Sequence, residues 1–120
     1  MARILAVDDS AAMRQMVGIT LSRAGHQVQP ASDGLEALEL AAHTRFDLVI
    51  ADINMPKMDG ITLVRELRAR PDYRHTPLLM LTTEATLERK QQGRAAGATG
   101  WLIKPFNPER LLATVAQVLR

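Results

Sequence analysis

The chain has 120 residues, 47% apolar and 23% charged, with no cysteine. That is the size and balance of one soluble globular domain, and it excludes disulfide frameworks, thiolate metal sites and cysteine nucleophiles. Fifteen Lys and Arg against thirteen Asp and Glu leave a formal charge of +2. The densest cationic group, Arg65, Arg68, Arg70 and Arg74, has the spacing of a solvated helix face, and aromatics are too few for base-stacking platforms, so the charge points to no nucleic acid. No apolar run approaches the ~18 residues of a membrane span. Met1-Ala2-Arg3-Ile4 leads straight into an apolar segment rather than a secretory leader, so a cytoplasmic single domain over residues 1–120 is expected.

Ile4-Leu5-Ala6-Val7 is the first strand candidate. Met13, Met16, Val17, Ile19, Thr20 and Leu21 then recur at three and four, predicting a helix that stops at Ala24-Gly25. Gln27-Val28-Gln29-Pro30 alternates and ends in proline, as an edge strand does. Ser32-Asp33-Gly34 is a capping signal before the apolar stripe of Leu35, Ala37, Leu38 and Ala41-Ala42. Leu48-Val49-Ile50-Ala51 is a second unbroken run, and Asp59-Gly60 opens a helix with Ile61, Leu63, Val64 and Leu67, ending before Pro71. Leu78-Leu79-Met80-Leu81 follows, then a helix from Ala85 to Ala96 stopped by Gly97. Trp101-Leu102-Ile103 is the last strand. Asn107-Pro108 starts the last helix, whose stripe is Leu111, Leu112, Val115, Ala116 and Leu119. Unbroken apolar runs are the mark of strands covered on both faces of a parallel sheet. Five strands alternating with five helices predict an α/β doubly wound parallel sheet with right-handed crossovers and helices on both faces. Ligands of such sheets sit outside the carboxyl ends of the strands.

Those ends carry polar groups. Asp8 and Asp9 follow the first strand, Asp52 the third, Thr82 and Thr83 the fourth, and Lys104 the fifth. Alone, a strand-end Asp or Thr reads as a helix cap and a Lys before Pro as a solvated side chain. Together they converge if the strands are adjacent. Three carboxylates in one place resist ionising unless a cation joins them, and hard oxygen ligands suit Mg²⁺. Lys104 and a threonine hydroxyl suit phosphate oxygens. His26, His43 and His75 lie away from the crevice and read as surface residues. Met13, Met16, Met55, Met58 and Met80 read as core and loop packing.

Val7-Asp8-Asp9-Ser10, Asp52-Ile53-Asn54-Met55-Pro56 with Met58-Asp59-Gly60, Leu81-Thr82-Thr83 and Ile103-Lys104-Pro105-Phe106 resemble the four motifs of response-regulator receiver domains over essentially the whole chain. The stretch from Thr82-Thr83-Glu84 through Ala96-Gly97-Ala98 to Phe106 is most similar to chemotaxis regulators of the CheY type. The resemblance implies a CheY-like, flavodoxin-like sheet of order 2-1-3-4-5 and a cis Lys104-Pro105 bond. It implies Asp52 as phosphoacceptor and Mg²⁺ bound by Asp9, Asp52 and the Asn54 backbone carbonyl, with Asp8 acting through a water. Lys104 and Thr82 would hold phosphoryl oxygens, and Thr82 with Trp101, where the family mostly carries Tyr or Phe, would form the switch. Asn54 and Glu84 fall where the family tunes attacking water, and Asp59 reads as a helix cap. The output face would be the fourth helix, fifth strand and fifth helix.

The implied protein is a monomeric signalling switch rather than an enzyme, active only in its own phosphorylation and dephosphorylation. It would take phosphate from a CheA-like histidine kinase and act on a FliM-like flagellar motor switch protein. With one residue after Leu119, no attached effector is expected; a phosphate sink, a relay intermediate or a receiver excised from a longer protein are the alternatives within the class. Two other classes compete. A haloacid-dehalogenase-type phosphohydrolase wants a second Asp two positions after its nucleophile, where this chain has Asn54. A flavodoxin-like FMN carrier wants a Ser/Thr/Gly phosphate cradle where this chain has Asp8-Asp9, which would repel the phosphate.

Overall fold

Each apolar run forms a strand, and each capping signal starts a helix. The computed structural model describes residues 1–83 and 86–120. Strands β1 (Arg3–Val7), β2 (Gln27–Ala31), β3 (Leu48–Asp52), β4 (Leu78–Thr82) and β5 (Gly100–Ile103) alternate with helices α1 (Ala11–Arg23), α2 (Gly34–His43), α3 (Gly60–Arg68), α4 (Leu87–Ala96) and α5 (Pro108–Val118). The sheet is parallel, in the order β2-β1-β3-β4-β5. The Ala85 at which the fourth helix was expected to begin lies outside the described residues.

All five helices begin on a side-chain cap. Ser10, Asp33, Asp59 and Thr86 each accept from the backbone N–H three residues on, and Asn107 accepts from Glu109 and Arg110. These caps satisfy N–H groups that the helix itself leaves without partners, each contributing about 1 kcal/mol. Gly97 ends α4 at φ 113°, a conformation glycine adopts without cost.

Side-chain alternation splits the core in two. Leu5, Val7, Val49, Ala51, Leu78 and Met80 face Ala37 and Ala41 of α2 and Leu63, Val64 and Leu67 of α3. Ile4, Ala6, Leu48, Ile50, Leu79, Leu81 and Leu102 face Val17 and Leu21 of α1 and Leu111 and Val115 of α5. A 3-10 turn at Pro71–Tyr73, which the sequence pattern did not announce, buries Tyr73. Its hydroxyl receives the Phe46 N–H at 3.2 Å and lies 2.9 Å from the Thr44 carbonyl and 3.2 Å from that of Ala41.

The apolar pattern overstates burial in four places. β5 is an edge strand, not covered on both faces: Trp101 is half-buried and Ile103 is 42% exposed. In α1 only Val17 and Leu21 are buried, while Met16 and Ile19 are half exposed, so Met16 is not core packing. Leu35 and Ala42 of α2 are exposed, as is Ala116 of α5. In each helix the stripe actually covered is narrower than the apolar periodicity, because one side of a five-stranded sheet has width for only two or three helices.

Candidate functional site

The pairing register decides which side chains meet at the carboxyl rim. Val7 is opposite Ala51, so Asp8 and Asp52 stand level on adjacent strands. Asp52 is opposite Leu81, and Leu81 is opposite Leu102, which puts Thr82 and Ile103 one step beyond and Lys104 two. Continuing the alternation, Asp8, Asp52 and Lys104 share the α1/α5 face with Ala6, Ile50 and Leu102, whereas Thr82 and Trp101 share the opposite face with Met80.

The contacts agree with this parity. One oxygen each of Asp8, Asp9 and Asp52 lies within 4.8 Å of the others. Lys104 Nζ is 2.7 Å from Asp8 Oδ2 and 3.3 Å from Asp52 Oδ2. The other Asp8 oxygen, Oδ1, accepts from the Ser10 N–H at 2.9 Å, and the Asp8 carbonyl accepts from Arg14 Nη1. Asp8 and Asp52 are buried and Asp9 is exposed. The backbone supports the end of β3 from below: the Gly60 N–H donates to the Ile53 carbonyl at 2.8 Å. A Cβ on Gly60 would collide with the Asp52 carbonyl oxygen, so only glycine lets α3 start directly beneath Asp52.

Burial raises the Asp52 carboxyl above its ordinary range; Lys104 pulls it down, and the Asp8 charge pushes it up further. Lys104 is raised too: burial lowers it, but its hydrogen bond to Asp8 and the Asp52 charge more than offset that. The pocket therefore holds more negative charge than its one lysine balances, which is the condition a bound cation relieves. A six-coordinate Mg²⁺ with bonds near 2.1 Å spans about 4 Å between opposite ligands, so this oxygen set closes on such an ion with small shifts.

Thr82 is fully buried on the α4 side of the rim. Trp101 lies on that side as well, its ring under Gly93, the buried residue of α4; a Cβ there would come within 2.6 Å of Trp101 Cζ3. The indole Nε1 is buried with no hydrogen-bond partner among the described residues. Asp59 caps α3 through the Thr62 N–H at 2.7 Å, as its motif implied. The Lys104-Pro105 bond is cis. Asn54 is exposed at the mouth of the site, and Glu84 lies outside the described residues. His43 and His75 are on the surface; His26 is half-buried, with Nδ1 accepting the Ala2 N–H. Sequence spacing missed Gly93 beneath Trp101 and Arg89 beside Asn54, because both depend on how α4 seats on the sheet.

Residues 4–116 match the response regulator receiver domain, and the chain belongs to that family. It is thus the phosphoacceptor switch module of a two-component system. The Vibrio cholerae chemotaxis protein CheY4 is 56% identical over 98% of both chains, with a TM-score of 0.96. The response regulator MprA of Mycobacterium leprae is 42% identical over 98% of this chain but only 51% of its own length. The chain thus spans about half the length of the curated relatives it matches. The receiver domain of the Pseudomonas aeruginosa sensor kinase PA1611, whose structure has magnesium coordinated in its active-site cleft, is 28% identical over 98% of this chain and 97% of its own, with a TM-score of 0.91. Among the described residues no helix is long and apolar enough to cross a membrane.

Proposed function

We propose that Asp52 accepts a phosphoryl group from a histidine kinase, and that residues 1–120 act as one domain that then changes its binding to a downstream protein. The observation that carries this is the direct pairing of Lys104 with both Asp8 and Asp52 beside the exposed Asp9. One Asp52 carboxylate oxygen bonds to phosphorus as the phosphohistidine P–N bond breaks, and the electron pair leaves with the imidazole nitrogen, which takes up a proton. Asp9, Asp52 and the Asn54 carbonyl would hold Mg²⁺. Asp8 would act through a water, since its two oxygens are already engaged by Lys104 and the Ser10 N–H. Bound there, the ion would offset charge on the phosphoryl oxygens. Lys104 and Thr82 hold the remaining oxygens, and Thr82, drawn towards the phosphate, opens space on its own face of the sheet for Trp101.

The likeness to a chemotaxis protein supports motor control as the output, with a CheA-like donor and a FliM-like target in the cytoplasm. A second reading is favoured by the half-length coverage of the MprA relatives: the same switch serving as the receiver of a longer response regulator. Incubation with Mg²⁺ and acetyl phosphate tests the core of the proposal. The expected product is a metal-dependent adduct of about +80 Da, one phosphoryl group in place of a proton, lost in Asp52→Asn and kept in Asp59→Asn. An adduct that survives Asp52→Asn moves the nucleophile elsewhere. Binding of motor-switch peptides that rises with beryllofluoride supports motor control, and its absence supports the second reading.

A further inference from the structure

Arg89 belongs to the first turn of α4, where its N–H donates to the capping Thr86 hydroxyl at 3.2 Å. From that anchor its guanidinium reaches across to the loop after β3. Nη2 is 3.4 Å from the Asn54 Oδ1, and Nη1 donates to Gln92 Oε1 at 2.9 Å. Asn54 stands two residues beyond Asp52. Asp52 is buried and Asn54 is exposed, so the Asn54 carboxamide is open to solvent close to the acceptor in sequence. Lys104 and Arg14 approach the rim from the α1/α5 face, whereas Arg89 reaches it from α4.

We propose that Arg89 is a positioning residue for Asn54, and that by donating to Oδ1 it slows the loss of the phosphoryl group; this rests on Asp52 being the phosphoacceptor. In hydrolysis a water oxygen bonds to phosphorus as the Asp52 P–O bond breaks. The electron pair returns to the carboxylate, and the proton of the water passes to a phosphate oxygen. Such a water is oriented by an acceptor that takes one of its hydrogens, and efficiency depends on that alignment. A carboxamide oxygen at the mouth of the site is an acceptor of this kind. A guanidinium donating to the same oxygen competes with the water for its lone pairs, so the water is held less often in the attacking position.

The test loads the protein with acetyl phosphate and Mg²⁺, removes the donor, and follows decay of the adduct by intact mass in wild type, Arg89→Ala, Asn54→Ala and the double variant. Arg89→Ala is expected to shorten the half-life at least about twofold, and to change nothing further in the Asn54→Ala background, the signature of two groups acting as one. Thermal midpoints alongside show that each variant is folded. An unchanged or lengthened half-life in Arg89→Ala overturns the proposal. So does an equal shortening in the Asn54→Ala background, which makes Arg89 act by charge alone. Absence of any adduct on the wild type, or one that survives Asp52→Asn, overturns instead the assignment of Asp52.

Discussion

Asp52 carries its charge where burial and Asp8 both oppose it, and that sets a sign for stability. Its native carboxyl binds a proton more tightly than the unfolded chain does. The stability linked to it is therefore complete below the ordinary carboxylate range and is lost as pH rises through the raised native value. Asp52→Asn, which mimics the protonated side chain, should melt higher than wild type at neutral pH without metal, with the gap closing as pH falls below about 4; calorimetry across pH checks this. Lys57 offers a separate test. It sits at φ 70°, which costs a side-chain-bearing residue about 1–2 kcal/mol, and its ion pair to Asp33, 3.5 Å long with the lysine largely exposed, returns little. Lys57→Asn, tolerant of that conformation, should stabilise by up to about 1 kcal/mol in urea denaturation. The acidic cluster was legible in the sequence because strand ends are legible, and a parallel sheet brings them together. Arg89 was not: a long side chain leaning from one helix to a loop 35 residues away leaves no periodic trace.

Gly93 and Trp101 show the same limit for elements. The sequence marks α4 by its Gly97 stop and β5 by its apolar run, but not that β5 is an edge or that the helix rests on an indole. In Gly93→Ala, the helix gains about 1 kcal/mol of propensity, while the methyl group meets the ring and overpacking costs about 1–3 kcal/mol. Trp101 is half-buried on an open edge, so the ring yields and the two effects nearly cancel. The expected outcome is a red-shifted emission from the single tryptophan with a stability change under about 1 kcal/mol. The Tyr73 hydroxyl has no such freedom. Tyr73→Phe strands the Phe46 N–H in the core and should cost about 1–3 kcal/mol by denaturant titration.

For the molecule as a whole, the surplus of carboxylate charge predicts that Mg²⁺ stabilises the fold. At a hundred times its dissociation constant the gain is about 2.7 kcal/mol, visible as a raised melting midpoint. Asp9→Asn combined with Asp52→Asn should abolish that dependence on the ion. A pronounced Mg²⁺ effect in the double variant would place the ion outside the cluster. The parallel doubly wound sheet and the gathering of carboxylates at its rim were legible in the alternation of strands and helices, while the strand order 2-1-3-4-5 followed from the resemblance to receiver domains. The exposure of α1 and β5 could not, because it depends on how many helices fit across each side. The parity of the strand ends has a further consequence. Asp8, Asp52 and Lys104 project to one side of a sheet one residue thick, and Thr82 and Trp101 to the other, so the sheet separates the acidic cluster from the indole and only the strand ends join the two sides. Drift in α1 or α5 can then retune how readily the acid group reacts while the surface around α4 stays as it was.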